Sequence, residues 1–148
     1  MDLPSQFGDL FAVDDGSLPE IRVEGLDRGA VAAAVALIQS AAIRPFKYGH
    51  EHEATAPPGA NHFVAILNLA GRQLPELGFG AFDDALIVDY KMGPEWTTER
   101  VQALFELLHR ICALHPAAYV ELEPEATPRL RRAFQKAWMQ YLTQKGAA

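Results

Sequence analysis

An α+β domain, with an antiparallel sheet whose helices pack mainly on one face, is the fold class that this sequence predicts. Short apolar stretches with a strand-like period of two are interleaved with three segments of helical period. Several strands are separated by turns too short to hold a crossover helix, which forces antiparallel pairing. The 148 residues contain no internal repeat, low-complexity tract or domain-separating linker, so residues 1–148 are expected to form a single domain.

The expected order is β-β-α-β-β-β-α-β-α. Leu10–Val13 and Glu20–Glu24 read as a hairpin-like segment within residues 1–26, because Asp14-Asp15-Gly16-Ser17 is a strong turn signal. Asp27 is a candidate N-cap for a helix to about Ile43, with Val31, Val35, Ile38 and Ala42 at helical spacing. Arg44 precedes Pro45, which disfavours further helix. Residues 44–61 then read as an irregular, histidine-rich loop.

Phe63–Leu69 is a nearly continuous apolar run expected to form one central strand, followed by a turn over Gly71–Pro75. Leu77–Phe82 and Ala85–Lys91, joined at Asp83-Asp84, complete a three-strand meander. Gly78 and Gly80 share one side of their strand, where helix packing or a bulge is the favoured reading. Thr97 caps a second helix whose stripe is Val101, Leu104, Phe105, Leu108, Ile111 and Cys112. Ala117–Leu122 is a last strand. Thr127-Pro128 opens a final helix, with Leu130, Phe134, Ala137, Trp138, Tyr141 and Leu142 on its buried face and Gly146 as its stop.

Charge narrows the function classes. The formal net charge is −6, and seven carboxylate residues occupy the first 27 positions against Arg22 alone. Such a field repels phosphate backbones and attracts basic partners. Arg129, Arg131, Arg132 and Lys136 read as a solvated helix face, so nucleic-acid binding is not expected. There is no signal-peptide pattern and no apolar run of membrane-spanning length. With one cysteine, Cys112, an internal disulfide is impossible. A soluble, cytoplasmic protein with no membrane partner is the expectation, its oligomeric state undetermined.

The densest chemistry lies in Tyr48, Gly49, His50, Glu51, His52 and Glu53, followed by His62, which holds three of the five histidines. His50, His52 and His62 are a candidate set for zinc or another divalent transition metal, and Glu51 or Glu53 could complete it. A solvated loop is the favoured reading, so no cofactor is expected. Cys112 sits on an apolar stripe as a small core residue. No serine stands in a Gly-x-Ser-x-Gly elbow, and no catalytic residue is assigned. Trp96 follows Pro94-Glu95, where a staple of the helix start is the favoured reading and an interface anchor the alternative.

In element order and acidity, residues 27–145 resemble the small acidic chaperones of type III secretion and several bacterial toxin-immunity proteins. A small single domain, asymmetric acidity and the lack of a catalytic signature favour an inhibitor or immunity protein that neutralises a toxin or enzyme by direct binding. Its partner would be a protein with a basic surface. Asp14, Asp15, Glu20, Tyr48, His50, Glu51, His52, Glu53 and Trp96 are the candidate contact residues. A secretion-type chaperone, and a small metal-dependent enzyme or metal-binding protein using His50, His52 and His62, are the alternatives.

Overall fold

The first strand, β1 (Glu20–Glu24), forms where apolar Ile21 and Val23 alternate with Glu20, Arg22 and Glu24. The computed structural model describes residues 11, 19–43, 47–48, 51–52 and 62–147. Gly25 turns the chain with a φ of +79°, a conformation that an L side chain resists. Helix α1 (Arg28–Ala41) then starts at Asp27, whose Oδ1 accepts the Ala30 N–H at 2.7 Å. It ends before Pro45, and the Ile43 N–H donates to the Ile66 carbonyl at 3.0 Å.

The stretch expected to be irregular contains two short strands, β2 (Lys47–Tyr48) and β3 (Glu51–His52). They pair antiparallel with each other, and β2 pairs with β4 (His62–Ala65). Their backbone hydrogen bonds extend the sheet by two strands, a tertiary gain that side-chain periodicity does not register. The expected single strand Phe63–Leu69 is also divided. It leaves the sheet at Ile66, and β5 (Asn68–Leu69) forms a separate hairpin with β6 (Arg72–Gln73). Ala70 and Gly71 make that turn with φ values of 52° and 78°, the paired positive angles that suit the strand twist of a two-residue hairpin.

Strands β7 (Leu77–Ala81) and β8 (Leu86–Tyr90) complete the expected meander with β4. Helix α2 (Thr98–Cys112) is capped by Thr97, whose hydroxyl accepts the Arg100 N–H at 3.3 Å. Strand β9 (Tyr119–Leu122) follows, then α3 (Pro128–Ala147), capped by the Thr127 hydroxyl. The main sheet has the order β3-β2-β4-β7-β8-β1-β9, and every pairing is antiparallel.

β1 lies between β8 and β9 and is paired on both edges. No edge is left for the hairpin expected with Leu10–Val13, most of which lies outside the described residues. Phe11 is instead buried, and its carbonyl accepts the Gly93 N–H at 2.7 Å. The inner sheet face carries Ile21, Val23, Leu77, Phe79, Leu86 and Val88, which join buried residues of all three helices in one core. Phe105 is its hub: Phe134, Trp138 and Tyr141 meet that ring edge-on at centroid separations of 5.5–5.8 Å.

Candidate functional site

Helix residues pack with the inner sheet face, and no described helix covers the outer one. Because strand side chains alternate, every residue that β1 turns away from the core is charged: Glu20, Arg22 and Glu24. The register adds neighbours on that same face. Asp89 lies opposite Glu20, Glu121 opposite Arg22, and the Glu123 N–H bonds to the Glu20 carbonyl at 2.9 Å. Arg22 is the lone cation among these strand positions, at 3.5 Å from Glu20 and 3.8 Å from Glu125. Its Nε is buried with no hydrogen-bond partner among the described residues.

Glu123 reports the resulting repulsion. Partial burial raises its pKa first, and the carboxylates of Glu20 and Glu125 raise it further. A backbone hydrogen bond and the Arg22 charge only partly oppose them. Like charges this close disfavour ionisation, so the patch stores electrostatic cost that a positively charged ligand would relieve.

Gly78 and Gly80 shape the same face. The register from Leu77–Tyr90 to Ala81–Leu86 is unbroken, so there is no bulge. Their positions oppose Asp89 and Ile87, on the side away from the helices, which replaces the expected helix packing. The reason is a carboxylate: a Cβ at Gly78 would lie 2.7 Å from Asp89 Cγ. Across this notch, His62 Nε2 stands 3.8 Å from Asp89 Oδ2.

The expected contact residues are only partly brought together. Glu20 is at the centre of the acidic face. Tyr48, Glu51 and His52 lie in the β2–β3 hairpin at the opposite sheet edge from β9. Asp14, Asp15, His50 and Glu53 lie outside the described residues. Trp96 is a correction: it is 4% exposed, packs against Phe11 and Tyr90 at 5.3 and 5.8 Å, and donates its indole N–H to the Lys91 carbonyl at 2.9 Å. An indole with both its apolar rings and its N–H satisfied internally fastens the entry to α2 and offers no interface anchor.

Of the metal set, His50 is outside the described residues, and His62 is exposed beside Asp89. Among the described residues no group of three or more His, Cys, Asp or Glu side chains is arranged to hold a metal ion. Sequence reasoning passed over Glu121, Glu123 and Glu125. Alternation does mark the strand carboxylates as outward-facing, but their meeting depends on β1 lying between β8 and β9.

A second polar cluster joins α2 to α3. Glu106 accepts hydrogen bonds from Tyr141 Oη and Lys145 Nζ, and from Arg110 Nε at 3.3 Å. Burial opposes ionisation of Glu106, but these three donors prevail and lower its pKa from 4.5 to about 2. Burial first, and then the bond to Glu106, raise the Tyr141 hydroxyl well above its usual range. With its carboxylate satisfied on three sides, this cluster is a clamp between helices. The adjoining cavity of about 510 Å³ is lined by Arg72, Arg110 and Lys145 against Glu99 and Glu106.

Among the described residues no helix is long and apolar enough to cross a membrane. No protein-family model, curated protein or solved structure matches this chain.

Proposed function

We propose that this chain is a cytoplasmic protein-binding protein, an inhibitor or immunity protein that neutralises a toxin or enzyme by covering a basic surface with its acidic outer sheet face. The observation that carries the reading is the crowding of Glu20, Asp89, Glu121, Glu123 and Glu125 around one arginine. Charged faces of this kind steer oppositely charged partners and act chiefly on the association rate. Burial first, and then Glu20 and Glu125, raise the Glu123 pKa, and an incoming lysine or arginine would offset only the part due to those two carboxylates. On this reading the weight of recognition lies on the sheet rather than on the histidine-rich loop, and Glu20 is the expected contact residue that belongs to that face.

The test begins with affinity capture of the partner from the source cell. Association rates are then measured across a salt series for the wild type and for a triple variant, Glu20→Lys, Asp89→Lys and Glu121→Lys. These sites are at least partly exposed, so the variant should fold. The expected result is an association rate about tenfold or more lower at low ionic strength, with the difference shrinking as salt screens it. Unchanged rates in a folded variant would overturn the proposal.

A further inference from the structure

The sheet ends at β9, and that edge is built differently from the acidic face beside it. The Glu123 N–H bonds to Glu20, and Glu121 and Tyr119 pair with Arg22 and Glu24. In an antiparallel ladder the hydrogen-bonding direction alternates. The main-chain groups of Val120 and Leu122 therefore point away from β1, and no described strand receives them. Such an edge is a template for another strand unless shortness, charged side chains, proline, a bulge or a covering segment blunts it, and β9 has of these its four-residue length and Glu121. The sequence Tyr-Val-Glu-Leu at 119–122 has no lysine or proline, and its register is regular.

A groove runs along this edge. Towards the C-terminal half of α3 it is a cavity of about 490 Å³ lined by Tyr119 and Val120 of β9, by Trp138 and Met139 of α3, and by His109 and Cys112 at the end of α2. It continues as a cavity of about 300 Å³ between Leu122 and the start of α3, where Pro128, Arg131 and Arg132 line it. Glu121 and Gln135 border both cavities, which places the two side by side along β9. The 20-residue α3 is ~30 Å long at 1.5 Å per residue. Residues of α3 line both cavities beside β9, so the helix supplies one wall for a strand position that no described segment fills.

We infer that the β9 edge and this groove form a docking site for an extended acidic and aliphatic segment of a partner protein, which adds to the sheet as a further strand. Main-chain hydrogen bonds to Val120 and Leu122 would give affinity, and side-chain pockets would give selectivity. The occupant's chemistry follows from the two ends of the groove. Tyr119 and Met139, 55% and 53% exposed, border the apolar end and call for aliphatic side chains at alternate positions. Arg131 and Arg132 border the other end, near the N-terminus of α3, where the helix dipole also favours a carboxylate. In antiparallel addition the incoming strand starts at the Leu122 end, so its acidic residues precede its aliphatic ones. A second copy of the chain fits less well. Its own β9 offers only Glu121 as a carboxylate, on the sheet face away from the helices.

The probe is a fluorescein-labelled peptide, Glu-Glu-Val-Thr-Val-Thr-Val, with a control in which both glutamates are lysine. Fluorescence anisotropy should show binding of the first peptide and binding about tenfold or more weaker for the second. The double variant Arg131→Glu and Arg132→Glu should reverse that preference. On binding, amide exchange at Val120 and Leu122 should slow while Glu121, already paired to β1, is unchanged. A double variant, Glu20→Lys and Asp89→Lys, outside β9 and the groove, should keep the acidic peptide's advantage, which separates this surface from the acidic face. No binding up to about 1 mM, equal binding of both peptides, or binding without protection of Val120 and Leu122 would overturn the proposal. Concentration-dependent protection of those amides without peptide would assign the edge to a second copy and overturn it too.

Discussion

Replacing Glu106 with glutamine tests whether α3 is held to α2 by a charged clamp. The substitution keeps the side-chain size and leaves an amide oxygen to accept the Tyr141 hydroxyl, but it removes the attraction for Lys145 and Arg110. A drop in pKa from 4.5 to about 2 corresponds to at most about 3.5 kcal/mol in favour of the folded ionised form, at 1.36 kcal/mol per unit. Lys145 is 39% exposed and Arg110 52%, so solvent screening reduces the expected loss at neutral pH to about 1–2 kcal/mol. The sign follows from the depressed folded-state value. The stabilisation is complete above the unfolded pKa near 4.5 and is lost as pH falls through about 2. Less than about half of the wild-type advantage should therefore remain at pH ~3. Urea titrations at pH 7 and pH ~3, followed by tryptophan fluorescence, would measure it as a shift in midpoint at constant slope. Trp138 packs against Tyr141 at 5.7 Å, so its emission reports on this contact. An advantage that is the same at both pH values, or below about 0.5 kcal/mol at pH 7, would refute the clamp.

Gly25→Ala should destabilise the fold by about 2–4 kcal/mol, combining left-handed strain with overpacking, because the new Cβ would approach the Ala117 carbonyl carbon to 3.0 Å. A loss below about 0.5 kcal/mol in chemical denaturation would show that the turn relaxes freely. Leu104→Ala and Leu108→Ala, both at fully buried sites, should each cost about 2–5 kcal/mol, measured in the same way; negligible loss in both would contradict the single core. Burial pushes the Cys112 thiol up to about 11 from 9.0, so a thiol reagent at pH 8 should modify it about a hundredfold more slowly than a peptide thiol. Comparable rates would place that sulfur in solvent.

Local physics made most of the elements legible. Asp27, Thr97 and Thr127 cap the helices that their positions announce, because capping is settled within three or four residues of chain. The alternation of Ile21 and Val23 with charged neighbours marked β1, and the apolar stripe of α2 marked its buried face. Where the outcome depended on partners remote in sequence, local pattern failed. Lys47–Tyr48 and Glu51–His52 became strands through edge hydrogen bonds. Phe63–Leu69 divided because a turn at Ala70-Gly71 drew Asn68 and Leu69 into a different hairpin.

The amino-acid order alone dictated the α+β class, the acidity, the helix boundaries and the inward or outward direction of most strand residues, since each follows from composition or from a period of two or 3.6. Tertiary structure decided which outward residues became neighbours. Glu20, Asp89 and Glu121 come from three strands spread over a hundred residues, and they meet because β1 is inserted between β8 and β9. The same insertion removed the expected N-terminal hairpin, and burial of Trp96 turned a possible anchor into core. Strand order depends on how the whole apolar surface is buried at once, and no short window of the chain carries that information.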